Sequence, residues 1–256
     1  MRIFDFHLHP GYDFHNDELG YEITPERFTA GLAAHGVCGC AGSVIHKADS
    51  KLTPEAYAEV IPRLNREALA FRAFCPSYVP GIHVHPSHPE LSVAQIEHYA
   101  ANGVKLVGEL VPYLMGWQNY SDPVLWDILR VAQQKNMLLS FHPNKRPEDM
   151  EPLLAALPHA PIVIAHLDGY GLYEFEIEMM QKYEHVYTDI SAHGAEREGM
   201  LEDAVRRVGA DRILYGSDYP GYSPKPFIDR VLAAKLTDGE REAILYGNAA
   251  RLLGIS

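Results

Sequence analysis

The hydrophobic residues of this chain recur in a regular pattern, in which a short run of apolar, often β-branched residues precedes a longer amphipathic stretch. Eight short runs follow one another, and their first residues are about 25 to 35 residues apart, the length of one strand-plus-helix unit. The pattern predicts β-strands at Arg2–Leu8, Val37–Ile45, Arg72–Val79, Val104–Glu109, Met137–His142, Ile162–His166, Val186–Ser191 and Ile213–Ser217.

The stretches between these runs carry signals of helices. Thr53 and Asp122 are each followed by proline, the combination of an N-cap and a first helical residue. Pro62 predicts a kink in the first of these helices or a start one turn later. Further helices are predicted after Arg146-Pro147-Glu148 and at Glu196–Val208, Pro224–Leu236 and Ala243–Ile255.

Eight alternating units predict an α/β fold, a closed (β/α)8 barrel, as a single domain over residues 1–256. A doubly wound open sheet is the structural alternative. It would normally carry a glycine-rich phosphate loop after the first strand. Here that strand ends in His-Leu-His-Pro, and no such loop follows.

Composition and charge narrow the expected partners and compartment. The 22 basic and 34 acidic residues give a net charge of −12, which disfavours binding to nucleic acid. No apolar run approaches the ~20 residues that span a bilayer, and the polar residues near the N-terminus do not fit a signal peptide. Three cysteines in apolar stretches argue against a disulfide framework. We therefore expect a cytoplasmic protein with a small-molecule substrate, and leave a homo-oligomer open.

Polar side chains stand at the predicted ends of five strands. Because the strand ends of a barrel converge on one rim, these side chains are expected to lie close together. Alternation along the first strand places His7 and His9 on the same face. Each residue alone could have a structural role, but so many buried polar groups at one rim predict a metal site. The candidates are His7, His9, Glu109, His142, His166 and Asp218.

Motifs from one end of the chain to the other resemble the amidohydrolase superfamily of metal-dependent TIM-barrel hydrolases, specifically the amidohydrolase 2 branch. They are DFHLHP, GVKLVGEL, LLSFHP, IVIAHLDG, RILYGSDYP and GNAARLLGI. The resemblance implies that His7, His9, His142 and Asp218 are metal ligands. It makes His166 a ligand of a second metal or a catalytic residue.

The resemblance also implies a bridging ligand from the fourth strand. Lys105 lies too early in that strand, so Glu109 is the candidate. The segment around it is similar to that of the TatD-like metal-dependent nucleases, which use glutamate there.

Two other segments also carry histidines near the ends of predicted strands. His83 and His85 form a second HxH after the third predicted strand, where Pro80 and Gly81 predict a strand end that runs into a loop. We do not expect them to be primary metal ligands, but contact with substrate stays open. Contact with the rim also stays open for His193.

Nitrogen and carboxylate ligands without thiolate suit one or two ions of zinc first, with manganese, iron or nickel as alternatives. The metal would lower the pKa of water and polarise a carbonyl, with Asp218 as general base and acid and His166 next to the developing oxyanion. The substrate-binding candidates, just beyond strand ends, are Tyr12, Tyr113, Trp117, Asn144, Lys145, Asp168 and Tyr219.

The leading hypothesis is a metal-dependent hydrolase of a lactone, ester or amide. Three alternatives stay open: a decarboxylase (lyase) of the aminocarboxymuconate-semialdehyde decarboxylase type, a small-substrate phosphodiesterase, and a catalytically silent barrel that binds a metabolite or a metal.

Overall fold

The computed structural model describes residues 1–10, 24–45 and 52–255, and within them eight parallel strands form one sheet in chain order. The Phe6 N–H donates to the Tyr215 carbonyl over 3.0 Å, and Leu8 pairs with Tyr219, so the last strand returns to the first. The predicted (β/α)8 barrel is therefore confirmed. The strands are β1 (Phe4–Leu8), β2 (Gly39–Ser43), β3 (Tyr78–Ile82), β4 (Leu106–Leu110), β5 (Leu138–Phe141), β6 (Ile162–Ile164), β7 (Val186–Asp189) and β8 (Ile213–Leu214).

Helices surround the barrel, and several begin at the predicted proline signals. The α-helices are α1 (Pro25–Ala34), α2 (Tyr57–Ala70), α3 (Pro89–Ala101), α4 (Pro123–Gln134), α5 (Glu151–Ala156), α6 (Tyr173–Lys182), α7 (Met200–Val208), α8 (Pro224–Ala233), α9 (Asp238–Glu242) and α10 (Asn248–Leu253). No helix among the described residues has the length and apolar character that a membrane crossing requires.

The core has two main layers. One lies between the strands and the surrounding helices. The other joins residues of all eight strands with Tyr246, Ala249 and Leu253, so the end of the chain closes the barrel. The polar side chains therefore lie at the opposite, C-terminal ends of the strands.

Four predicted elements differ from the structure. The third strand begins at Tyr78 and includes Pro80 and Gly81, whereas Phe71–Ala73 form a 3₁₀ turn. A Cβ at position 81 would lie 1.9 Å from the Gly108 carbonyl oxygen, so glycine is needed here by the close approach of β4. Helix α2 runs through Pro62 and does not start later.

Helix α7 begins at Met200 instead of Glu196, directly after Gly199 in the left-handed region at φ 79°. The last predicted helix is a π-helical turn, Ala243–Gly247, followed by α10.

Candidate metal centre

All six predicted ligands meet at the C-terminal rim of the barrel. Glu109, on β4, lies between them. Its Oε2 is 3.4 Å from His7 Nε2 and 3.5 Å from His9 Nε2. Its Oε1 is 2.9 Å from His142 Nδ1 and 3.4 Å from His166 Nε2.

Asp218 lies on the His9 side, with Oδ1 3.2 Å from His9 Nε2. The predicted donors therefore fall into two clusters, each with ligand atoms within 4.8 Å of one another. The first is His7, His9 and Asp218, and the second is Glu109, His142 and His166. A third group of this kind joins one histidine of each cluster, His7 and His166, with Asp189. The two oxygens of Glu109 face different pairs of imidazoles.

The hydrogen bonds at the far side of two imidazoles fix which nitrogen faces the centre. His7 Nδ1 is 2.9 Å from a carboxylate oxygen of Asp189, and His9 Nδ1 is 2.9 Å from the Ser43 carbonyl. Both partners can only accept, so Nδ1 carries the proton and Nε2 offers its lone pair. Metal-binding histidines are usually held in this way.

His7 Nε2 supplies the test of whether a metal fits. It is buried and makes no hydrogen bond to any described residue, although two carboxylates lie near it. A buried ring nitrogen without a hydrogen-bond partner is costly, and a cation held there, a proton or a metal ion, satisfies it. The nitrogen and carboxylate donors present here fit a divalent ion.

The electrostatics of the centre also favour a cation. Burial alone would lower the pKa of His7, but the charges of Asp189 and Glu109 raise it well above its ordinary value. Burial opposes ionisation of Asp189 as well, yet its interactions with His7 outweigh this and lower its pKa to about 2. The carboxylates thus create a negative potential strong enough to hold positive charge away from water.

The backbone has an unusual conformation at two of these residues. His166 and Asp218 both have left-handed conformations, with φ of 61° and 62°. Such conformations cost of order 1 kcal/mol or more in a residue with a side chain. The His166 N–H is held by Asp189 and the Asp218 N–H by the His7 carbonyl, so the surrounding contacts enforce both turns.

Sequence reasoning missed Asp189 and Tyr170. Asp189 ends β7 and binds His7 from behind, while Tyr170 Oη is 3.2 Å from His142 Nε2. Asp189 had a signal similar to that of the predicted ligands, a carboxylate near the end of a predicted strand. Tyr170 follows β6 in a loop, so no periodic pattern could have placed it.

A cavity of about 580 Å³ lies next to His142. The Tyr113 ring is 5.4 Å from the His142 ring, and Trp117 Nε1 is buried without a hydrogen bond to any described residue. The charged residues in the lining, Lys145 and Arg146, are both basic. The full lining is Pro112, Tyr113, Trp117, Gln118, Asn119, Pro143, Asn144, Lys145, Arg146 and Tyr170.

Two predicted substrate residues lie apart from this lining. Asp168 accepts the N–H of Tyr173 at the start of α6 and pairs with Arg197 at 3.1 Å. The Tyr219 ring packs 4.6 Å from Phe28 of α1. Their side chains are already used in contacts with helices and loops, and Tyr12 lies outside the described residues.

The second HxH also lies apart from the ligand clusters. His83 Nε2 and His85 Nε2 bond to the carbonyls of Val44 and Met115, at 2.7 and 2.8 Å. Both side chains are fully buried, which suits a structural role. His193 is exposed and bonds to Tyr222 and Glu196.

A barrel with convergent metal donors at the C-terminal strand ends is the architecture of many metal-dependent enzymes. The chain belongs to the Amidohydrolase family, whose sequence profile matches residues 4–255. This family consists of metal-dependent enzymes. A comparison with curated proteins gave no match.

Solved structures with the same fold include three that cover almost the whole chain. A 2,6-dihydroxybenzoate decarboxylase from Rhizobium has 17% identity and a TM-score of 0.73, with 99% of each chain covered. A dihydroxybenzoic acid decarboxylase from a Polaromonas species, with manganese and the inhibitor 2-nitroresorcinol, has 16% identity and a TM-score of 0.75, over 99% of this chain and 97% of that one.

The third is an uncharacterized TIM-barrel protein from Bordetella bronchiseptica, with 19% identity, a TM-score of 0.73 and 99% of each chain covered. At these identities the likeness shows the fold. The family and the manganese in similar structures together support a divalent metal.

Proposed function

We propose that this chain is a metal-dependent hydrolase that holds two divalent ions and cleaves a small lactone, ester or amide. The observation that carries the proposal is the position of Glu109. Its two carboxylate oxygens face separate pairs of imidazoles, as a ligand shared by two ions would. Glu109 is buried, and its oxygens lie within 3.5 Å of a ring nitrogen of each of the four histidines.

In this proposal His7, His9 and Asp218 hold one ion, His142 and His166 hold the other, and Glu109 binds both. Zinc is our first choice for this donor set, with manganese next. When bound, the ions would supply an activated water and polarise the substrate carbonyl.

Asp218 is the carboxylate best placed to exchange a proton with substrate. Its side chain is 22% exposed, against 5% for Glu109 and 0% for Asp189. Burial opposes its ionisation, but the hydrogen bond and charge of His9 keep the pKa of Asp218 below its ordinary value. It is therefore an anion at neutral pH, as a general base must be.

The cavity beside His142 suggests an anionic or strongly polar group on the substrate. Lys145 and Arg146 in its lining provide positive charge. The aromatic rings of Tyr113 and Tyr170 give this cavity flat walls. A small organic acid with a hydrolysable carbonyl satisfies these groups.

Decarboxylation is the second candidate, and two observations favour it. Several similar structures are named as decarboxylases of aromatic acids. The basic lining of the cavity also suits a substrate carboxylate. In that case a single ion would suffice, and Glu109 would orient the imidazoles.

Metal analysis and a substrate panel separate the two reactions. The protein is loaded with zinc or with manganese, its metal content per chain is measured, and it is tested on lactones, esters, amides and hydroxybenzoic acids. Two equivalents with hydrolysis of a carbonyl substrate would support the main proposal. One equivalent with release of CO₂ would overturn it in favour of decarboxylation.

A further inference from the structure

Two cysteines form a close pair at the end of the barrel opposite the metal centre. Cys40 is the second residue of β2, and Cys75 lies shortly before β3 begins, so both are near the N-terminal ends of their strands. Their sulfur atoms are 3.8 Å apart. The strands thus bring together two thiols that are far apart in sequence.

The two thiols differ in accessibility and in environment. Cys40 is fully buried in an apolar cluster with Phe28 and Phe71, on a strand of the barrel. Cys75 is half-buried, in the connection between a 3₁₀ turn and β3. The partially exposed thiol can meet a small reagent, whereas the buried one can meet only its neighbour.

The surroundings of Cys75 stabilise its thiolate. The hydrogen bond from Cys40 lowers the pKa of Cys75 most, burial raises it, and the Ser77 hydroxyl and nearby backbone N–H groups lower it further, to about 6. Ser77 Oγ is 3.6 Å from the Cys75 sulfur. Cys75 is therefore largely a thiolate at neutral pH, the form that acts as a nucleophile.

We propose that Cys75 and Cys40 form a dithiol that reacts with hydroperoxides, with Cys75 as the attacking residue and Cys40 as the resolving residue. In the first step the Cys75 sulfur attacks one peroxide oxygen. The S–O bond forms, the O–O bond breaks, and the second oxygen leaves as hydroxide, or as alkoxide from an organic hydroperoxide. The product is a sulfenic acid at Cys75.

In the second step the Cys40 sulfur attacks the Cys75 sulfur. The S–S bond forms, the S–O bond breaks, and the hydroxyl leaves as water with the proton of the Cys40 thiol. The two sulfurs together lose two electrons, which the peroxide gains. The sulfurs must move from 3.8 Å to the ~2.05 Å of a disulfide, and Cys75, outside the regular strands, is the residue that can shift.

Cys38 makes it harder to assign a disulfide to Cys40, and the Cys38→Ser variant removes this ambiguity. It is exposed, and trypsin leaves it in the same peptide as Cys40, residues 28–47. In the Cys38→Ser variant that peptide holds Cys40 alone, while Cys75 lies in residues 73–105. The experiment treats metal-loaded Cys38→Ser protein with hydrogen peroxide, alkylates the remaining thiols and identifies the peptides by mass spectrometry.

We expect the two peptides to be joined by a disulfide, with two thiols lost per chain. In a Cys38→Ser/Cys40→Ala variant, dimedone should label Cys75 as a sulfenic acid, and in Cys38→Ser/Cys75→Ala no modification should appear at Cys40. Peptides that stay unlinked, with both thiols free or with Cys75 oxidised to a sulfinic acid, would overturn the proposal. So would oxidation of Cys38 in the wild type ahead of the pair.

Discussion

At the scale of single residues, the centre depends on groups that do not face it. Asp189 fixes the proton of His7 on Nδ1, and His166 Nδ1 is 2.8 Å from Ser191 Oγ. Asp189 also accepts from the N–H groups of His166 and Ser191. One buried carboxylate therefore orients two imidazoles, and its replacement should weaken metal binding.

Asp189→Asn should weaken metal binding without removing a predicted ligand. The amide can donate to His7 Nδ1 and so shift the imidazole proton to Nε2, where a ligand needs a lone pair. Loss of such a supporting group typically lowers metal affinity ~10- to 100-fold. Competition with a chelator of known affinity measures the change. Unchanged affinity in folded Asp189→Asn protein would show that His7 does not depend on this contact.

Glu109→Gln tests whether Glu109 binds two ions. The amide has the shape of glutamate but no negative charge and only one oxygen, so it cannot serve two cations equally. We expect about one equivalent less metal per chain. Elemental analysis is the measurement, with circular dichroism as the check on folding. If the wild-type chain instead saturates at one equivalent of metal, Glu109 only orients the imidazoles. That result would favour decarboxylation.

Asp218→Asn separates proton transfer from metal binding. Asparagine keeps one oxygen near His9 but cannot accept a proton. General acid–base contributions are typically ~10² to 10⁴-fold, so kcat should fall at least ~100-fold, with KM and metal content largely kept. The contrary view is that Asp218 only shapes the turn after β8. Near-normal kcat in the metal-loaded variant would favour that view.

At the scale of elements, the predicted starts of β6, β7 and β8 match the structure, whereas their predicted ends lie two or three residues too late. The candidate ligands near the ends of β1, β4 and β5 could be identified because apolar periodicity stops where polar side chains begin. The start of β3 was misplaced because Phe74 and Cys75 extend the apolar run before Tyr78, although Phe74 is 49% exposed and lies outside the strand. An apolar run in the sequence therefore does not by itself define a buried strand.

Side-chain direction was only partly predictable. The alternation that places His7 and His9 on one face would place Phe6 and Leu8 together on the other, but these two lie in different apolar clusters. The pairing of β1 with β2 changes register between Asp5 and Leu8, which breaks the alternation there. In the loops, left-handed residues such as Asp168, at φ 74°, set directions that no pattern encodes. Asp168 and Tyr219, which were predicted to bind substrate, lie outside the lining of the cavity beside His142.

The HxH pair after β3, His83 and His85, is expected to stabilise the fold, in contrast to the HxH pair of the metal centre. Burial lowers the pKa of His85 to about 4, so it is neutral at pH 7, and its ring stacks 4.5 Å from Tyr57. His85→Ala would leave the Met115 carbonyl and the Ser87 N–H without their partner. We expect a loss of about 2–4 kcal/mol in the free energy of unfolding.

The matched comparison for that prediction is the first HxH. His7→Ala or His9→Ala should lower metal content and abolish turnover, whereas His83→Ala with His85→Ala should keep the metal. Urea unfolding and elemental analysis together give the two readouts. Metal retained by the His7→Ala/His9→Ala protein would mean that the wrong pair was assigned to the centre.

At the scale of the whole molecule, the predicted ligands come from β1, β4, β5 and the ends of β6 and β8, around the full circumference of the barrel. Ions held there connect strands that are distant in sequence, and the unfolded chain cannot offer the same set at one point. Metal binding should therefore stabilise the folded state by mass action.

Removal of the metal should lower the melting temperature. At a free metal concentration 100 times Kd, one site contributes about 2.7 kcal/mol. For a chain of this size, 1 kcal/mol corresponds to roughly 2–4 °C, so chelation should lower Tm by about 5–10 °C for one site and by more for two. Differential scanning calorimetry of the loaded and the chelated protein measures the shift. Glu109→Gln should show a smaller shift than the wild type, because it is expected to hold one ion fewer. Equal Tm values for loaded and fully stripped wild-type protein would contradict a metal centre that joins the strands.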